Sequence, residues 1–274
     1  MKQYLNLLNR ILNDGIDSDD RTGTGTLSIF SETLKFDMAE GFPLVTTKYV
    51  NYKAVLAELL WFISGSTNIN DLDSKIWDEW ATNDGDVGPM YGSQWRDWRA
   101  EGTEIGYDQL KIVIRNLKDN PFSRRHIVSA WNVDMLPDES ISPQDNVYNG
   151  QMALAPCHKD FQFYVRNNKL SLHWNQRSVD AFLGLPFNIA SYATLLLMIC
   201  KLTGYKPGIL SFHGVDIHIY KNHIRQVKTQ IVREPLGLSA LSIKTRYSID
   251  DYIQEDFNLR GYSPHEKLKG KISV

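Results

Sequence analysis

The residues of this sequence best suited to chemistry are a cysteine, several arginines and one glutamate. Cys157 follows a proline in the apolar run 153–157, and a thiol on such a short, stiff segment is a candidate nucleophile. The competing interpretation is a packing thiol, since cysteine is among the residues most often buried. Cys200, the only other cysteine, lies in the apolar run 193–200, where a thiol behaves as a small hydrophobic side chain. Both interpretations stay open for Cys157, whereas we expect packing at Cys200.

Two other uses of Cys157 do not fit the pattern. Neighbouring residues of an extended strand point to opposite faces, so His158 is not placed to act as the base of a Cys–His pair. Cys157, His158 and Cys200 also lack the paired spacing of zinc ligands, and we expect no metal. What remains is a thiol activated by positive charge, which guanidinium groups supply while also matching phosphate oxygens in pairs. Four arginines are candidates for both tasks: Arg21, Arg124, Arg125 and Arg177.

Glu58 lies on the wide apolar face of a predicted helix, 52–63, where a carboxylate needs a specific reason. A buried ion pair or a position at the rim of the apolar face is one explanation, and an acid/base group with a raised pKa is the other. Trp77 and Trp80 are three residues apart and share one face of a predicted helical turn. The tryptophan pair fits either core packing or a wall on which a flat heterocycle stacks.

Composition and charge limit the class of protein. The chain has 274 residues, of which 42% are hydrophobic and 23% charged, as in ordinary globular proteins. The net charge of −2 gives no basic excess, so nucleic acid is not the expected main partner. No signal-peptide layout or membrane-length apolar run is evident, and two cysteines in such different settings do not indicate a disulfide. We therefore expect a cytoplasmic protein with a reduced Cys157.

Hydrophobic periodicity alternates between helix and strand along the chain. Helices are predicted near 5–12, 52–63, 110–117, in the apolar run ending near 203, and from about 222. Strands are predicted near 27–36, 127–131, 161–165, 169–174 and 209–220, with a hairpin turn at Asn167–Asn168. On the last strand Asp216, His218 and Tyr220 alternate and indicate a lined cavity. The polar stretch 133–150 lacks periodicity and is predicted as a long surface loop, and the whole chain as one α+β domain.

Several short motifs follow one another from the first residues to the last strand. They are Arg21-Thr-Gly-Thr-Gly25, Glu58-Leu-Leu-Trp-Phe62, Ile76-Trp-Asp-Glu-Trp80, Ser123-Arg-Arg125, Ala155-Pro-Cys-His158, Gln176-Arg-Ser178, Phe182-Leu-Gly-Leu-Pro-Phe-Asn-Ile-Ala-Ser-Tyr192 and Asp216-Ile-His-Ile-Tyr220. Each motif alone is weak, but the ordered set resembles the thymidylate synthase family along the entire chain.

The resemblance implies a fold and a reaction. Residues 1–274 would form one catalytic α+β domain, a mixed β-sheet packed with helices, with one sheet face forming a homodimer interface. The family methylates dUMP at C5 to give dTMP, with 5,10-methylenetetrahydrofolate as donor of both the carbon and a hydride, leaving dihydrofolate. Because C5 of uracil is a poor nucleophile, a thiolate first adds at C6 and turns the ring into an enolate. By resemblance, Cys157 is that thiolate, with arginine charge lowering its pKa.

The resemblance also assigns roles residue by residue. The catalytic set is Cys157, Glu58, Tyr91, His158, Arg177 and Asp180. The dUMP-binding set is Arg21, Arg124, Arg125, Gln176, Arg177, Ser178, Asp180, Asn188, His218 and Tyr220, with Arg124 and Arg125 donated across the dimer interface. The folate-binding set is Ile76, Trp77, Trp80, Leu154, Asp180, Leu183, Gly184, Phe187 and Ser273, with the C-terminal tail closing over the folate.

Three features depart from the family pattern and keep an alternative open. Asn175 stands where tyrosine is usual, Val215 stands where glycine is usual, and the stretch 137–150 is longer than in the shortest members. Substitutions near the site favour, as the alternative, a dUMP hydroxymethylase in which water replaces the hydride. Asn188 suits the edge of uracil, whereas an aspartate would suit cytosine. A catalytically idle relative that binds RNA is a further alternative, which the charge pattern does not support.

Overall fold

The computed structural model describes residues 1–20, 23–99, 102 and 104–272, and α-helices and strands alternate along them. Local signals account for the ends of the principal helices. Asp108 accepts a hydrogen bond from the Lys111 N–H at the start of one helix, and Gly65 and Gly204 end two others with positive φ. The α-helices are α1 (Lys2–Asp14), α2 (Tyr52–Ser64), α3 (Tyr91–Arg96), α4 (Gln109–Asp119), α5 (Pro143–Tyr148), α6 (Gly184–Thr203) and α7 (Ile224–Ile231).

The strands form a mixed sheet and a separate two-stranded ribbon. The sheet has the order β1-β2-β6-β5-β4-β3, in which β5 and β6 are parallel and the other neighbours antiparallel. The hairpin between β4 and β5 turns at Asn167 and Asn168, whose φ angles of 51° and 57° suit the primed turn predicted there. The strands are β1 (Ile16–Ser18), β2 (Thr26–Asp37), β3 (Ile127–Ser129), β4 (His158–Arg166), β5 (Lys169–Asp180), β6 (Lys206–Tyr220), β7 (Ala240–Ile243) and β8 (Phe257–Arg260).

Helix α6 packs in the core against the sheet. Strand residues Phe161, Trp174 and Phe212 point toward it and are fully buried, and Trp174 stacks on Tyr192 of α6 with ring centroids 4.9 Å apart. By length and composition alone α6 would suit a membrane span, yet 72% of its apolar stretch is buried inside the protein. Core helices of soluble proteins share these properties, so the finding is weak support for a membrane span. The mixed sheet with packed helices confirms the predicted single α+β domain.

The predicted elements differ from the observed ones where a segment is short. The expected loop 133–150 contains a 3-10 turn at Val133–Met135 and helix α5, which is too brief for periodicity to reveal. Its local signals are present, because Ser142 caps the helix and Pro143 is its first residue. The ribbon β7–β8 and the short strand β1 were not predicted, since strands this short give little alternation. The region 76–80 is a turn without a regular helix.

Candidate active site

Cys157 lies immediately before β4 and is fixed through its backbone. Its N–H donates to the hydroxyl oxygen of Tyr91 at 2.9 Å, and its carbonyl oxygen accepts from the Arg177 N–H at 2.9 Å. The thiol is partly accessible, whereas Cys200 is buried in α6, as expected for packing. The two anchors join α3, the 153–157 run and β5, so three elements distant in sequence determine the position of one sulfur.

The Arg177 guanidinium is locked beside this thiol. Its Nε donates to the Pro156 carbonyl oxygen at 3.0 Å and its Nη2 to that of Ala155 at 2.8 Å. Burial raises the pKa of Cys157, and the charge of Arg177 lowers it. Because burial is the larger effect, the net pKa is raised, while the charge of Arg177 acts in the predicted direction. Arg177 limits the increase but does not reverse it.

Of the other predicted arginines that the structure describes, neither Arg124 nor Arg125 acts on the charge of the thiol. Arg124 and Arg125 are exposed in the segment that precedes β3. The carbonyl oxygen of Arg124 accepts from Gln162 of β4 at 3.3 Å, which attaches this segment to the sheet. Arg21 lies outside the described residues, as does Ser273. Among the arginines described, Arg177 therefore supplies the charge next to Cys157 within one protomer.

His158 follows the cysteine but is engaged elsewhere. It is 8% exposed, its Nδ1 lies 2.8 Å from the Tyr192 hydroxyl, and its ring stacks on Tyr91 with centroids 4.2 Å apart. Burial lowers its pKa to about 3, so the ring is neutral at physiological pH. A neutral, stacked imidazole shapes the pocket around the thiol, and its contacts agree with the exclusion of a Cys–His pair.

Glu58 is a carboxyl group whose pKa lies near neutrality. Burial raises its pKa to about 7, and the hydrogen bond from the Trp77 indole N–H, 2.9 Å from Oε1, opposes that increase. No ion pair to Glu58 is present in the described part of the chain. Of the explanations left open by the sequence, the buried ion pair does not fit. The half-buried position of Glu58 agrees with the rim of the apolar face, and its raised pKa suits an acid/base group.

Tyr91 lies where these groups converge. Burial raises the pKa of Tyr91 well above its usual value, the negative charges of Cys157 and Glu58 raise it further, and Arg177 lowers it. The hydroxyl therefore stays protonated. Tyr91 contacts Cys157 directly, through the N–H that donates to its hydroxyl oxygen, and is linked to Glu58 through the ring of Trp77.

A half-buried apolar wall adjoins Glu58. The rings of Trp77 and Trp80 meet edge to face with centroids 5.4 Å apart, and Trp77 also contacts Tyr91 at 6.0 Å. The tryptophans are neither fully buried nor fully exposed, unlike the core residues behind them. The remaining predicted wall residues are partly buried in the same way: Ile76, Leu154, Leu183, Gly184 and Phe187.

A side-chain carboxamide of β5 is hydrogen-bonded to one at the start of α6. The buried Trp174 indole N–H donates to Gln176 Oε1 at 3.0 Å, and Gln176 Nε2 donates to Asn188 Oδ1 at 3.2 Å. This fixes which end of the Asn188 carboxamide is oxygen, since each donor finds an acceptor. Asn188, at the start of α6, therefore presents a defined donor and acceptor pattern.

Next along the sheet, β5 and β6 bring the other predicted polar residues together. Ser178 pairs with Asp216, and Asp180 pairs with His218, in register across the parallel strands. His218 is buried, with its Nδ1 3.4 Å from Asp216 Oδ1, and its ring lies 5.1 Å from that of Tyr220. The alternation predicted for β6 thus produces a polar row beside the first residues of α6.

Asp180 has a structural task that the sequence did not reveal. Its Oδ1 accepts from the backbone N–H groups of Phe182 at 2.8 Å and Leu183 at 3.1 Å, which fixes the entry to α6. Buried Lys48 donates to the Phe182 carbonyl oxygen and lies over the Phe182 ring, and burial lowers its pKa to about 8. A lysine within the apolar run 42–50 was the available signal for this contact.

The C-terminal segment returns to the same place. His223 Nε2 lies 2.9 Å from the Lys271 carbonyl oxygen, and Gln226 donates to the Lys269 carbonyl oxygen at 3.0 Å. The His223 ring contacts Phe182 at 5.1 Å between centroids. The last described residues therefore reach the entry to α6, next to Asp180.

A half-buried cysteine beside a locked guanidinium, with a near-neutral carboxyl group and an aromatic wall, is an arrangement that suits an enzyme with a cysteine nucleophile. No cluster of three or more metal-binding side chains occurs among the described residues. The family model for thymidylate synthase matches residues 2–274. Thymidylate synthases of Francisella tularensis subsp. holarctica and Francisella philomiragia subsp. philomiragia are 53% and 52% identical over 278 residues, covering 100% of both chains. The chain belongs to the thymidylate synthase family.

Proposed function

We propose that Cys157 is the nucleophile for the reductive methylation of dUMP to dTMP, the reaction of this family. The observation that carries the proposal is the position of Cys157, fixed through its backbone by Tyr91 and Arg177, with the Arg177 guanidinium locked beside it. The thiol loses its proton, sulfur bonds to C6 of uracil, and the C5–C6 electron pair moves toward O4. C5 thereby becomes electron-rich. When the S–C6 bond breaks at the end of the reaction, the thiol is restored.

The phosphate and sugar of dUMP would bind along β5 and β6. Arg177 and Ser178 hold the phosphate together with Arg21, and with Arg124 and Arg125 of the partner subunit. Asn188, oriented by Gln176, donates to O4 and accepts from N3–H of uracil. His218 and Tyr220 bond to the deoxyribose hydroxyl.

Glu58 would manage proton transfer at O4 and C5 through ordered water. Its pKa near 7 lets it both take and give a proton at neutral pH, which a normal glutamate does poorly. The neutral His158 and the protonated Tyr91 hold the surrounding hydrogen-bond network in one arrangement. Asp180 stays fixed by Phe182 and contributes a carboxylate oxygen toward the folate.

5,10-Methylenetetrahydrofolate, the family's cosubstrate, would supply the one-carbon unit and the hydride. The half-buried wall fits a flat heterocycle, because its aromatic and aliphatic side chains keep part of their apolar surface accessible beside Glu58. The residues that would form this site are Ile76, Trp77, Trp80, Leu154, Asp180, Leu183, Gly184, Phe187 and Ser273. The C-terminal segment at Asp180 would close over it and exclude water.

We further propose a cytoplasmic homodimer in which residues 1–274 form one catalytic domain. Exposed apolar side chains on two strands, Phe30 at 81% on β2 and Tyr164 at 56% on β4, support an interface formed by the sheet. The exposure of Arg124 and Arg125 supports their donation to the partner. Free thiols at both cysteines suit a reducing compartment.

The hydroxymethylase alternative is not favoured. Two of the departures that suggested it have contacts away from the proposed folate wall: Asn175 bonds to Asp160 at 2.6 Å and lies 3.1 Å from His173, and Val215 is partly exposed. The test is turnover of dUMP with methylenetetrahydrofolate, followed by near-ultraviolet absorbance and product chromatography. We expect dTMP and dihydrofolate in equal amounts. A hydroxymethylated nucleotide with no dihydrofolate would overturn the proposal.

A further inference from the structure

The stretch 137–150 folds into a compact unit of its own. Asn146 is 1% exposed; its Nδ2 donates to the carbonyl oxygens of Asp138 at 3.0 Å and Ser142 at 3.1 Å, and its Oδ1 accepts from the Asp138 N–H at 2.7 Å. Ser142 accepts from the Asp145 N–H at the start of α5. A buried amide with three partners makes this unit rigid despite its short helix.

From this unit the side chain of Gln144 reaches the turn 76–81, which carries Trp77 and Trp80. Gln144 Nε2 donates to the carbonyl oxygen of Glu79 at 3.0 Å and to that of Ala81 at 3.2 Å. A carboxamide nitrogen carries two hydrogens, so both carbonyls are satisfied together. Glu79 and Ala81 flank Trp80, and Gln144 is therefore hydrogen-bonded to the backbone on either side of that residue.

The turn has few other hydrogen bonds to hold it. In the described part of the chain, its internal backbone bond runs from the Trp80 N–H to the Trp77 carbonyl oxygen at 3.2 Å, and its N-terminal side is tied by the Trp77 bond to Glu58. On the C-terminal side, Gln144 binds Glu79 and Ala81, and the N–H of Thr82, the next residue, donates to the Asp86 carbonyl oxygen at 2.9 Å. Among the described residues, loss of the Gln144 amide leaves the two carbonyl oxygens that flank Trp80 without a hydrogen-bond donor.

We propose that Gln144 is a positioning residue for folate, acting through the turn 76–81 to hold Trp80 in the orientation that stacks on the flat heterocycle. The inference rests on the proposed function, because it takes Trp77 and Trp80 as the folate wall. It assigns a task to the stretch 137–150, whose length departs from the shortest family members. Gln144 contacts no reacting atom and acts only through its hydrogen bonds to the backbone of the turn 76–81.

The unit has attachments that do not depend on Gln144. The Ala153 N–H donates to the Val87 carbonyl oxygen at 3.0 Å and the Met152 N–H to that of Met135 at 2.9 Å, and Val147 is buried. We therefore expect Gln144 variants to fold with α5 in place.

The experiment compares Gln144→Glu and Gln144→Ala with the wild type. The glutamate has the same size but has no N–H to donate to either carbonyl. The matched control is Asn149→Ala, because Asn149 ends the same helix and its exposed carboxamide forms no hydrogen bond among the described residues. Affinity for dUMP alone, and for dihydrofolate in the presence of dUMP, is measured by calorimetry, because this pair of ligands does not react. The KM for folate and kcat are measured beside them.

We expect both Gln144 variants to weaken folate binding roughly threefold to tenfold, the effect of losing about one net hydrogen bond. Affinity for dUMP should stay within about twofold, as should both affinities in Asn149→Ala. Unchanged folate affinity in Gln144→Glu would overturn the inference, and so would a parallel loss of dUMP affinity. If the wild type binds folate but forms no dTMP, the proposed function is wrong. The calorimetric comparison of folate affinities still tests the role of Gln144 in that case. A wild type that binds no folate overturns both.

Discussion

Glu58→Gln should make the protein more stable above neutral pH while removing proton transfer. The pKa of Glu58 is raised by burial from 4.5 to about 7, so the folded protein holds this proton more tightly than the unfolded chain does. Stability therefore falls as pH rises from about 4.5 to 7, and the full cost of a buried carboxylate is present above that window. A glutamine carries no charge, and its oxygen still accepts from the Trp77 indole N–H.

The size of the effect follows from the pKa change. At about 1.36 kcal/mol per pKa unit, the increase from 4.5 to about 7 corresponds to at most about 3 kcal/mol. Because Glu58 keeps part of its surface accessible, solvent screening reduces this to about 1–2 kcal/mol. For a domain somewhat larger than 250 residues, that difference raises the unfolding midpoint by roughly 2–6 °C.

The assay is thermal unfolding of both proteins at about pH 5 and about pH 8, at one protein concentration. We expect nearly equal midpoints at the lower pH and a higher midpoint for Glu58→Gln at the higher pH, together with loss of dTMP formation. Glu79→Gln, at an exposed position on the neighbouring turn, is the matched control and should show no such pH-dependent difference. Equal midpoints of Glu58→Gln and wild type at both pH values would refute the claim that burial destabilises the Glu58 carboxylate.

Three further predictions concern neighbouring groups. Arg177→Gln removes the charge that lowers the Cys157 pKa, so alkylation of Cys157 by iodoacetamide near neutral pH should slow by roughly threefold to tenfold; an unchanged rate contradicts this. Because burial lowers the His158 pKa to about 3, the ring proton signals of His158 in NMR should not titrate between about pH 5 and 8, and a midpoint near 6.5 would be the contrary result. Asn188→Asp should lower kcat/KM for dUMP relative to dCMP by about 100-fold or more, measured with both nucleotides, and an unaltered ratio would exclude Asn188 from base recognition.

Elements with long regular patterns were predictable, and those held by distant contacts were not. The repeat of Leu5, Leu8 and Ile11 forms the buried face of α1, and buried residues alternate with accessible ones along β6 from Gly208 to Val215. Helix α5 escaped because one and a half turns give no measurable period, although its Ser-Pro start was readable. Short patterns carry too little periodic signal to compete with loop composition.

The site residues also divide into those that the sequence pattern predicted and those whose roles depend on distant contacts. Cys157, Glu58 and the tryptophan pair stood out because their residue types do not suit their sequence surroundings. Lys48 and His223 did not stand out, since their roles arise from contacts with Phe182, 134 residues from Lys48 along the chain. The raised pKa of Cys157 was also missed, because the extent of burial around a thiol depends on tertiary packing.

The account depends most directly on the sulfur of Cys157. Replacing it by serine in Cys157→Ser, with Cys200→Ser as the matched control, separates nucleophilic chemistry from general thiol loss. We predict that dTMP formation falls by at least about 1,000-fold in Cys157→Ser, with dUMP still bound, and stays near wild type in Cys200→Ser. Undiminished turnover by Cys157→Ser would contradict the account.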